Sequence, residues 1–246
     1  LPALNAEALR RGVLAGLALG CTIDPSTKFD RKNYFYPDLP KGYQISQYDE
    51  PLCRDGHFTF DLEDGTTGEV DIVRAHLEED SGKIIHPDGM DVSLVDLNRA
   101  GTPLLEIVSG PDLRSSEEAI AYLKDLRQLL RYADVSDCDM EKGGFRCDAN
   151  ISLRPAGQTE LGTRTEIKNL NSFRFVAGAL DAEIERQGHL LDEGGTVRQA
   201  TLAYDPETGR TSPMRTKEDA HDYRYFPEPD LPRYAVDPSW VEALRR

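Results

Sequence analysis

The feature of this sequence that most constrains its fold is a pair of predicted β-hairpins. Residues 57–62 and 67–77 are two strand-like runs separated by Asp64-Gly65, a dipeptide typical of tight turns. Residues 145–153 and 163–170 form a second pair, joined by a loop that contains Pro and Gly. Because short turns connect neighbouring antiparallel strands, both pairs predict antiparallel sheet rather than a regular βαβ alternation.

Three helices are predicted separately from the hairpins. Residues 6–19 are rich in Ala and Leu and are followed by Gly20, and residues 172–187 form another amphipathic stretch. The clearest helix is 115–132, where Ser115 and Glu118 form a predicted capping box. Further strands are expected at 92–97, 103–109, 197–204 and 211–215. The pattern predicts an α+β fold, a mainly antiparallel sheet with packed helices.

Charge and cysteine content limit the function classes. The net charge is −15 with no Lys/Arg-rich run, which argues against a nucleic-acid-binding module acting by itself. An acidic protein can still act on an RNA-linked substrate if metal ions or another domain supply positive charge. No apolar run approaches the roughly 20 residues needed to span a bilayer, so no membrane association is expected. The 4 cysteines are scattered, which favours a reducing cytosol over zinc or disulfides.

Residues 22–48 are irregular and aromatic, and we predict a long ordered loop there. Two interpretations stay open at this point, a functional loop or a loop held by aromatic packing.

Carboxylates concentrate in three predicted strands. Period-two alternation places Asp148, Asn150, Glu166 and Lys168 on one face of the second hairpin, as a polar wall or as an ordinary solvated face. The run 78–80 offers oxygen ligands of the kind Mg²⁺ prefers, or simply a charged turn.

The same alternation predicts that Glu79 is more buried than Glu78, and that His76 and His86 are structural or surface residues. Glu106 is a lone acid in an apolar strand. The acids Glu79, Glu106, Asp148 and Glu166 are therefore candidates for one metal site, although alternation alone cannot assemble them. Neither a P-loop nor a Rossmann fingerprint occurs.

Seven long strings, spread over nearly the whole chain, resemble one family. They are KFDRKNYFYPD (28–38), YQISQ (43–47), HLEED (76–80), DLNRAGTPL (96–104), RCDANISLRP (146–155), EIKNLNSF (166–173) and DYRYFPEPD (222–230). On these strings the chain resembles the B subunits of the tRNA-dependent aspartyl/glutamyl amidotransferases.

The resemblance implies a cytoplasmic enzyme with a cradle-type catalytic domain over 1–236, followed at 237–246 by the start of a helical domain. It implies that ATP and Mg²⁺ are used to phosphorylate the side-chain carboxylate of Glu or Asp misacylated on tRNA-Gln or tRNA-Asn. Ammonia from the amidase (A) subunit then displaces the phosphate, and a small C subunit is the third member of the complex. The order is chemically reasonable because a carboxylate is a poor electrophile until it becomes an acyl phosphate.

The resemblance also implies that Glu79, Glu106, Asp148 and Glu166 are catalytic or metal-binding acids. From their charge we add Lys83, Arg146 and Lys168 as candidates for contact with phosphate or nucleotide. The family's opening Gly-Leu-Glu-Ile/Val-His strand and its later domains do not occur in this sequence. We therefore expect a fragment that is inactive alone.

A competing hypothesis treats this region as a non-catalytic scaffold that docks the other subunits and guides tRNA through the aromatic segments 29–48 and 223–230. The choice between Asp-tRNA and Glu-tRNA stays open.

Overall fold

The computed structural model describes residues 2–87, 89–214 and 223–245. Its helices are α1 (Ala6–Ala18), α2 (Ser116–Tyr132), α3 (Phe173–Asp192) and α4 (Pro238–Leu244). Its strands are β1 (Thr22–Ile23), β2 (Ser26–Thr27), β3 (Asp30–Asn33), β4 (Tyr43–Ser46), β5 (Cys53–Asp61), β6 (Thr67–Glu79), β7 (Lys83–Ile85), β8 (Leu94–Asp96), β9 (Pro103–Ser109), β10 (Cys147–Ile151), β11 (Thr165–Leu170), β12 (Thr201–Asp205), β13 (Arg210–Pro213), β14 (Phe226–Pro227) and β15 (Tyr234–Ala235).

The three predicted helices are confirmed, and each begins at a polar cap. The Asn5 side chain accepts hydrogen bonds from the first turn of α1, and the Ser115 and Ser172 side chains do the same for α2 and α3. The predicted capping box on α2 is only half right. The Glu118 carboxylate accepts from the Arg114 backbone N–H at 2.6 Å rather than from that of Ser115.

A first sheet contains the first predicted hairpin. Its strand order is β1-β5-β6-β9, and every neighbouring pair is antiparallel. A register shift between Ile72 and Arg74 interrupts the pairing of β6 with β9. Helices α1 and α2 pack against this sheet, and its core includes Val13, Leu52 and Tyr122.

A second sheet contains the second predicted hairpin, in the order β10-β11-β12-β13. Its outer pairs are antiparallel, but β11 and β12 are parallel because the chain returns through α3 between them. Helix α3 packs against this sheet and also against α2, which connects the two halves. The predicted α+β class with mostly antiparallel strands is confirmed.

Smaller sheets complete the described chain. The strands order as β14-β3-β4, β15-β2 and β7-β8. The prediction of a long loop over 22–48 was therefore wrong, because this segment contributes β1 to β4. The strands are only two to four residues long, and Tyr34, Phe35 and Tyr36 lie in the connection between β3 and β4 rather than in a strand, so no alternating pattern marked them.

The predicted strand at 92–97 is present as the shorter β8, and β13 covers the start of the strand predicted at 211–215. Arg215 itself, like Asp222 of the last motif string, lies outside the described residues.

Helix α4 packs against α1. The domain boundary at 236/237 stays a prediction. Among the described residues no helix combines the length and apolar character needed to cross a bilayer.

Candidate active site

A large cavity lies at the facing edges of the two sheets. Its volume is about 4010 Å³, and it is lined by residues of β9 and β10, which are the outer strands of the first and second sheets, and by residues of α2 and α3. The cavity brings together six of the seven residues predicted as site residues: Lys83, Glu106, Arg146, Asp148, Glu166 and Lys168. Glu79 is not among its lining residues.

The first sheet holds a cluster of potential metal ligands. His76 on β6 lies opposite Glu106 on β9, and Glu78 follows two residues later on β6. One ligand atom from each of His76, Glu78 and Glu106 lies within 4.8 Å of the others. His76 is only 2% exposed, and its Nδ1 has no hydrogen-bond partner among the described residues. A buried imidazole beside two carboxylates is a donor set suited to a divalent cation.

Glu78 keeps its charge in spite of its burial. Burial alone would raise the pKa of its carboxyl group, but the interaction with His76, the charge of Lys32 and the hydroxyl of Ser46 together lower the pKa below the ordinary value. The Ser46 Oγ donates to Glu78 Oε2 at 3.1 Å. A buried carboxylate that stays ionised attracts a cation.

Glu79 has a different environment from the one predicted. The prediction that it is more buried than Glu78 was wrong, because β6 is covered on both faces near its end: the four residues 75–78 are all buried, and Ser46 of β4 contacts Glu78. The Glu79 Oε1 accepts from the backbone N–H of Ile45 at 2.8 Å and forms an ion pair with Lys41. These contacts connect the end of β6 to β4, so Glu79 holds these two strands together.

The second sheet presents the polar wall suggested by alternation. The Lys168 Nζ lies 2.9 Å from Asp148 Oδ2 and 3.0 Å from Glu166 Oε1. The Thr201 hydroxyl on the neighbouring β12 donates to Glu166 Oε2 at 3.2 Å. Burial disfavours the ammonium, but the charge of Asp148 and the hydrogen bonds to both acids raise the pKa of Lys168 to about 12. Lys168 is therefore a permanent cation in the cavity.

Arg146 reaches the first sheet from the residue before β10. Its Nη2 lies 2.6 Å from Oδ2 of the buried Asp80, and Arg99 Nε lies 3.1 Å from the same oxygen. Sequence reasoning did not foresee this cluster, although Asp80 ends the acidic run 78–80 and Arg99 lies in another motif string. Lys83 is exposed on β7 at the cavity wall.

The four predicted acids thus lie in different places. Glu106 belongs to the cluster with His76 and Glu78, Asp148 and Glu166 flank Lys168 on the second sheet, and Glu79 binds β4. Their shared role as ligands stays a prediction. Sequence reasoning missed His76 and Glu78 as partners of Glu106, and the HLEED string was the signal that could have indicated them.

Comparison with known proteins agrees with the motif strings. Residues 1–242 match the family described as the GatB/GatE catalytic domain. The chain is 58% identical to the B subunit of the aspartyl/glutamyl-tRNA(Asn/Gln) amidotransferase of Syntrophotalea carbinolica, and 57% identical to those of Nitrosococcus oceani and Coxiella burnetii. Each alignment covers 100% of this chain and 51% of the relative, so the chain spans about half the length of these relatives. The resemblance is confirmed, and the chain belongs to the GatB/GatE catalytic domain family.

Proposed function

We propose that this chain forms the catalytic part of the B subunit in a tRNA-dependent amidotransferase. It uses ATP and Mg²⁺ to phosphorylate the side-chain carboxylate of Glu or Asp misacylated on tRNA-Gln or tRNA-Asn. Ammonia from the amidase (A) subunit then displaces the phosphate to give Gln-tRNA or Asn-tRNA, in a cytoplasmic complex whose third member is the small C subunit.

The observation that carries this proposal is the shared cavity. Ligand pockets for small molecules typically occupy about 300–1,000 Å³, whereas this one measures about 4010 Å³ and has room for a nucleotide together with the end of a macromolecule. The cation Lys168 and the potential metal ligand Glu106 both line it.

The charges in the cavity suit phosphoryl transfer to a carboxylate. The reaction brings two anions together, so the site must offset their repulsion through cations placed beforehand. Lys168 and Arg146 supply positive charge from the second sheet. His76, Glu78 and Glu106 would hold Mg²⁺, whose chemistry at this place is to neutralise phosphate oxygens.

Binding of tRNA needs more than this chain. With a net charge of −15, the chain offers no basic stripe for the phosphate backbone. The chain also spans only about half the length of its relatives. We therefore assign most of the tRNA affinity to the rest of the longer protein and to its partners, and the chemistry to this half.

The proposal is tested by Asp148→Asn in the full-length protein, within the three-subunit complex. We expect aminoacyl-tRNA-dependent ATP hydrolysis to fall by about 100-fold or more, since the substitution weakens the hold on Lys168 in the reacting space. Glutamine hydrolysis by the amidase should continue at its basal rate. The matched control is Asp192→Asn, an exposed acid at the end of α3 outside the cavity. Unchanged ATP hydrolysis by the Asp148→Asn complex would contradict the proposal.

A further inference from the structure

The wall of the cavity contains a lysine, Lys32, to which the proposed function assigns no role. Lys32 lies in the middle of β3, opposite Gln44 of β4, and its side chain is half-buried and lines the cavity. It is close enough to the His76, Glu78 and Glu106 cluster that its charge acts on Glu78. An ammonium ion is thus placed beside the candidate metal ligands, on the first-sheet side of the cavity.

Two tyrosine rings hold this ammonium ion. The Lys32 Nζ lies 4.7 Å from the ring centroid of Tyr223 and 5.9 Å from that of Tyr34. The rings of Tyr34 and Tyr223 contact each other edge to face, with centroids 6.1 Å apart. Aromatic faces attract a cation through their quadrupole and replace part of its hydration, yet they leave its net charge intact. The side chain is therefore oriented without being neutralised.

The other cations in the β3–β4 hairpin and just before it are each paired with a carboxylate. Lys28 lies 3.2 Å from Asp30 and 2.8 Å from Asp49, Arg31 lies 2.7 Å from Glu228, and Lys41 pairs with Glu79. Among the described residues no carboxylate lies within 4.0 Å of Lys32 Nζ. The charge of Lys32 acts on Glu78 without a contact within 4.0 Å, so the ammonium group can still bind an anion of a ligand in the cavity that it lines.

We propose that Lys32 is a substrate-binding residue whose ammonium group contacts an oxyanion of the reacting groups beside His76, Glu78 and Glu106. The oxyanion belongs either to the nucleotide phosphate or to the amino-acid carboxylate that accepts the phosphoryl group. Both are oxygen anions with the same requirement for a point charge. This inference rests on the proposed function and adds a residue to it.

The test uses the full-length protein within the three-subunit complex. Lys32→Met removes the charge and keeps most of the length of the side chain, and Lys32→Arg restores a cation. Lys124→Met, an exposed lysine of α2 outside the cavity, is the matched control. The readouts are kcat and KM for ATP and for aminoacyl-tRNA, together with the thermal unfolding midpoint.

We expect Lys32→Met to lower kcat/KM of the aminoacyl-tRNA-dependent ATP hydrolysis by about 100-fold, and Lys32→Arg to recover about tenfold of that loss. A rise in KM confined to ATP assigns the contact to phosphate, and a rise confined to aminoacyl-tRNA assigns it to the carboxylate.

Two results would overturn the inference. One is a Lys32→Met enzyme with the same kinetic constants as Lys124→Met. The other is an equal loss in Lys32→Met and Lys32→Arg with a lowered unfolding midpoint, which indicates a purely structural role. If Asp148→Asn abolishes ATP hydrolysis while Lys32→Met does not, the inference fails and the proposed function stands. If the wild-type complex shows no tRNA-dependent ATP hydrolysis, the proposed function is contradicted, and the inference about Lys32 is contradicted with it.

Discussion

At the scale of single residues, the buried Glu183 of α3 joins the helix to the second sheet. Its carboxylate accepts hydrogen bonds from the hydroxyls of Thr165 and Thr211, both at 2.9 Å, and from Gln187 and Arg186. Glu183→Ala would leave these donors without their acceptor. We expect the free energy of unfolding to fall by about 3 kcal/mol, measured by urea denaturation. Glu185→Ala, an exposed acid on the same helix, should leave the midpoint nearly unchanged.

The same residue predicts a pH dependence with a defined sign. Burial would raise the pKa of Glu183, but the hydrogen bonds from Arg186, Gln187, Thr165 and Thr211 outweigh it and lower the pKa below the ordinary value. A depressed pKa means that this stabilisation is present above the unfolded-state pKa and disappears as the pH falls through the folded-state pKa. The stability difference between the wild type and Glu183→Ala should therefore shrink in acid. A constant difference would contradict this.

Residue positions could be predicted only where the local pattern was regular. Period-two alternation was enough to place Glu166 and Lys168 on one face of β11, and the ion pair with Lys168 places Asp148 beside them although the β10–β11 pairing is irregular between Cys147 and Ala149. It failed for Glu78 and Glu79, because both faces of β6 are covered at residues 75–78, and alternation distinguishes burial only where one face is exposed to solvent. A buried Glu183 was also beyond reach, since an acid in an amphipathic helix is normally read as a surface residue.

At the scale of elements, the start of α2 depends on one hydroxyl group. The Ser115 Oγ accepts from the Glu118 backbone N–H at 3.2 Å. Ser115→Ala should lower the free energy of unfolding by about 1 kcal/mol, because a donor in the first turn loses its partner. Ser115→Asp keeps an acceptor at the same place and should retain most of the stability. Equal denaturation midpoints for the Ala variant and the wild type would refute this cap.

Elements with a strong local signal were predictable, and those stabilised by distant pairing were not. Helices α1 and α2 have polar N-caps and an apolar periodicity of their own, and the strand β9 has an apolar run. The strands β2 and β3 pair with residues more distant in the chain, and short strands of that kind have little local signal. Helix α3 extends to Asp192, beyond its predicted end at 187, and the residues of its last turn are largely exposed.

At the scale of the whole molecule, Asp80 connects the two halves of the cavity. It follows β6 of the first sheet and binds Arg146, which precedes β10 of the second sheet. Asp80→Ala should release this link, so the amide protons of β10 should exchange faster with solvent than in the wild type, while those of α1 keep their rate. Glu69→Ala, an exposed acid on β6, is the control. Unchanged exchange in β10 would show that the link does not hold the strand.

The cavity itself could not be derived from sequence patterns. It is lined by the outer strands β9 and β10 of different sheets, and periodicity describes faces rather than the distance between sheets. The motif strings identified the family, and through it the fold and candidate acids. The link through Asp80 and the cluster of His76 with Glu106 became visible only in three dimensions.

The pairing of β2 with β15 and of β3 with β14 has a consequence for biosynthesis. Ser26 pairs with Ala235 and Asp30 with Pro227. Strands β2 and β3 are therefore synthesised long before the strands with which they pair. While the ribosome is still translating the chain between them, β2 has no partner in its sheet, and β3 pairs with β4 on one edge only. Such non-local pairing folds slowly and leaves strand edges exposed in the meantime. The β14-β3-β4 sheet that contains Lys32 is therefore completed only after nearly the whole of this chain has been synthesised.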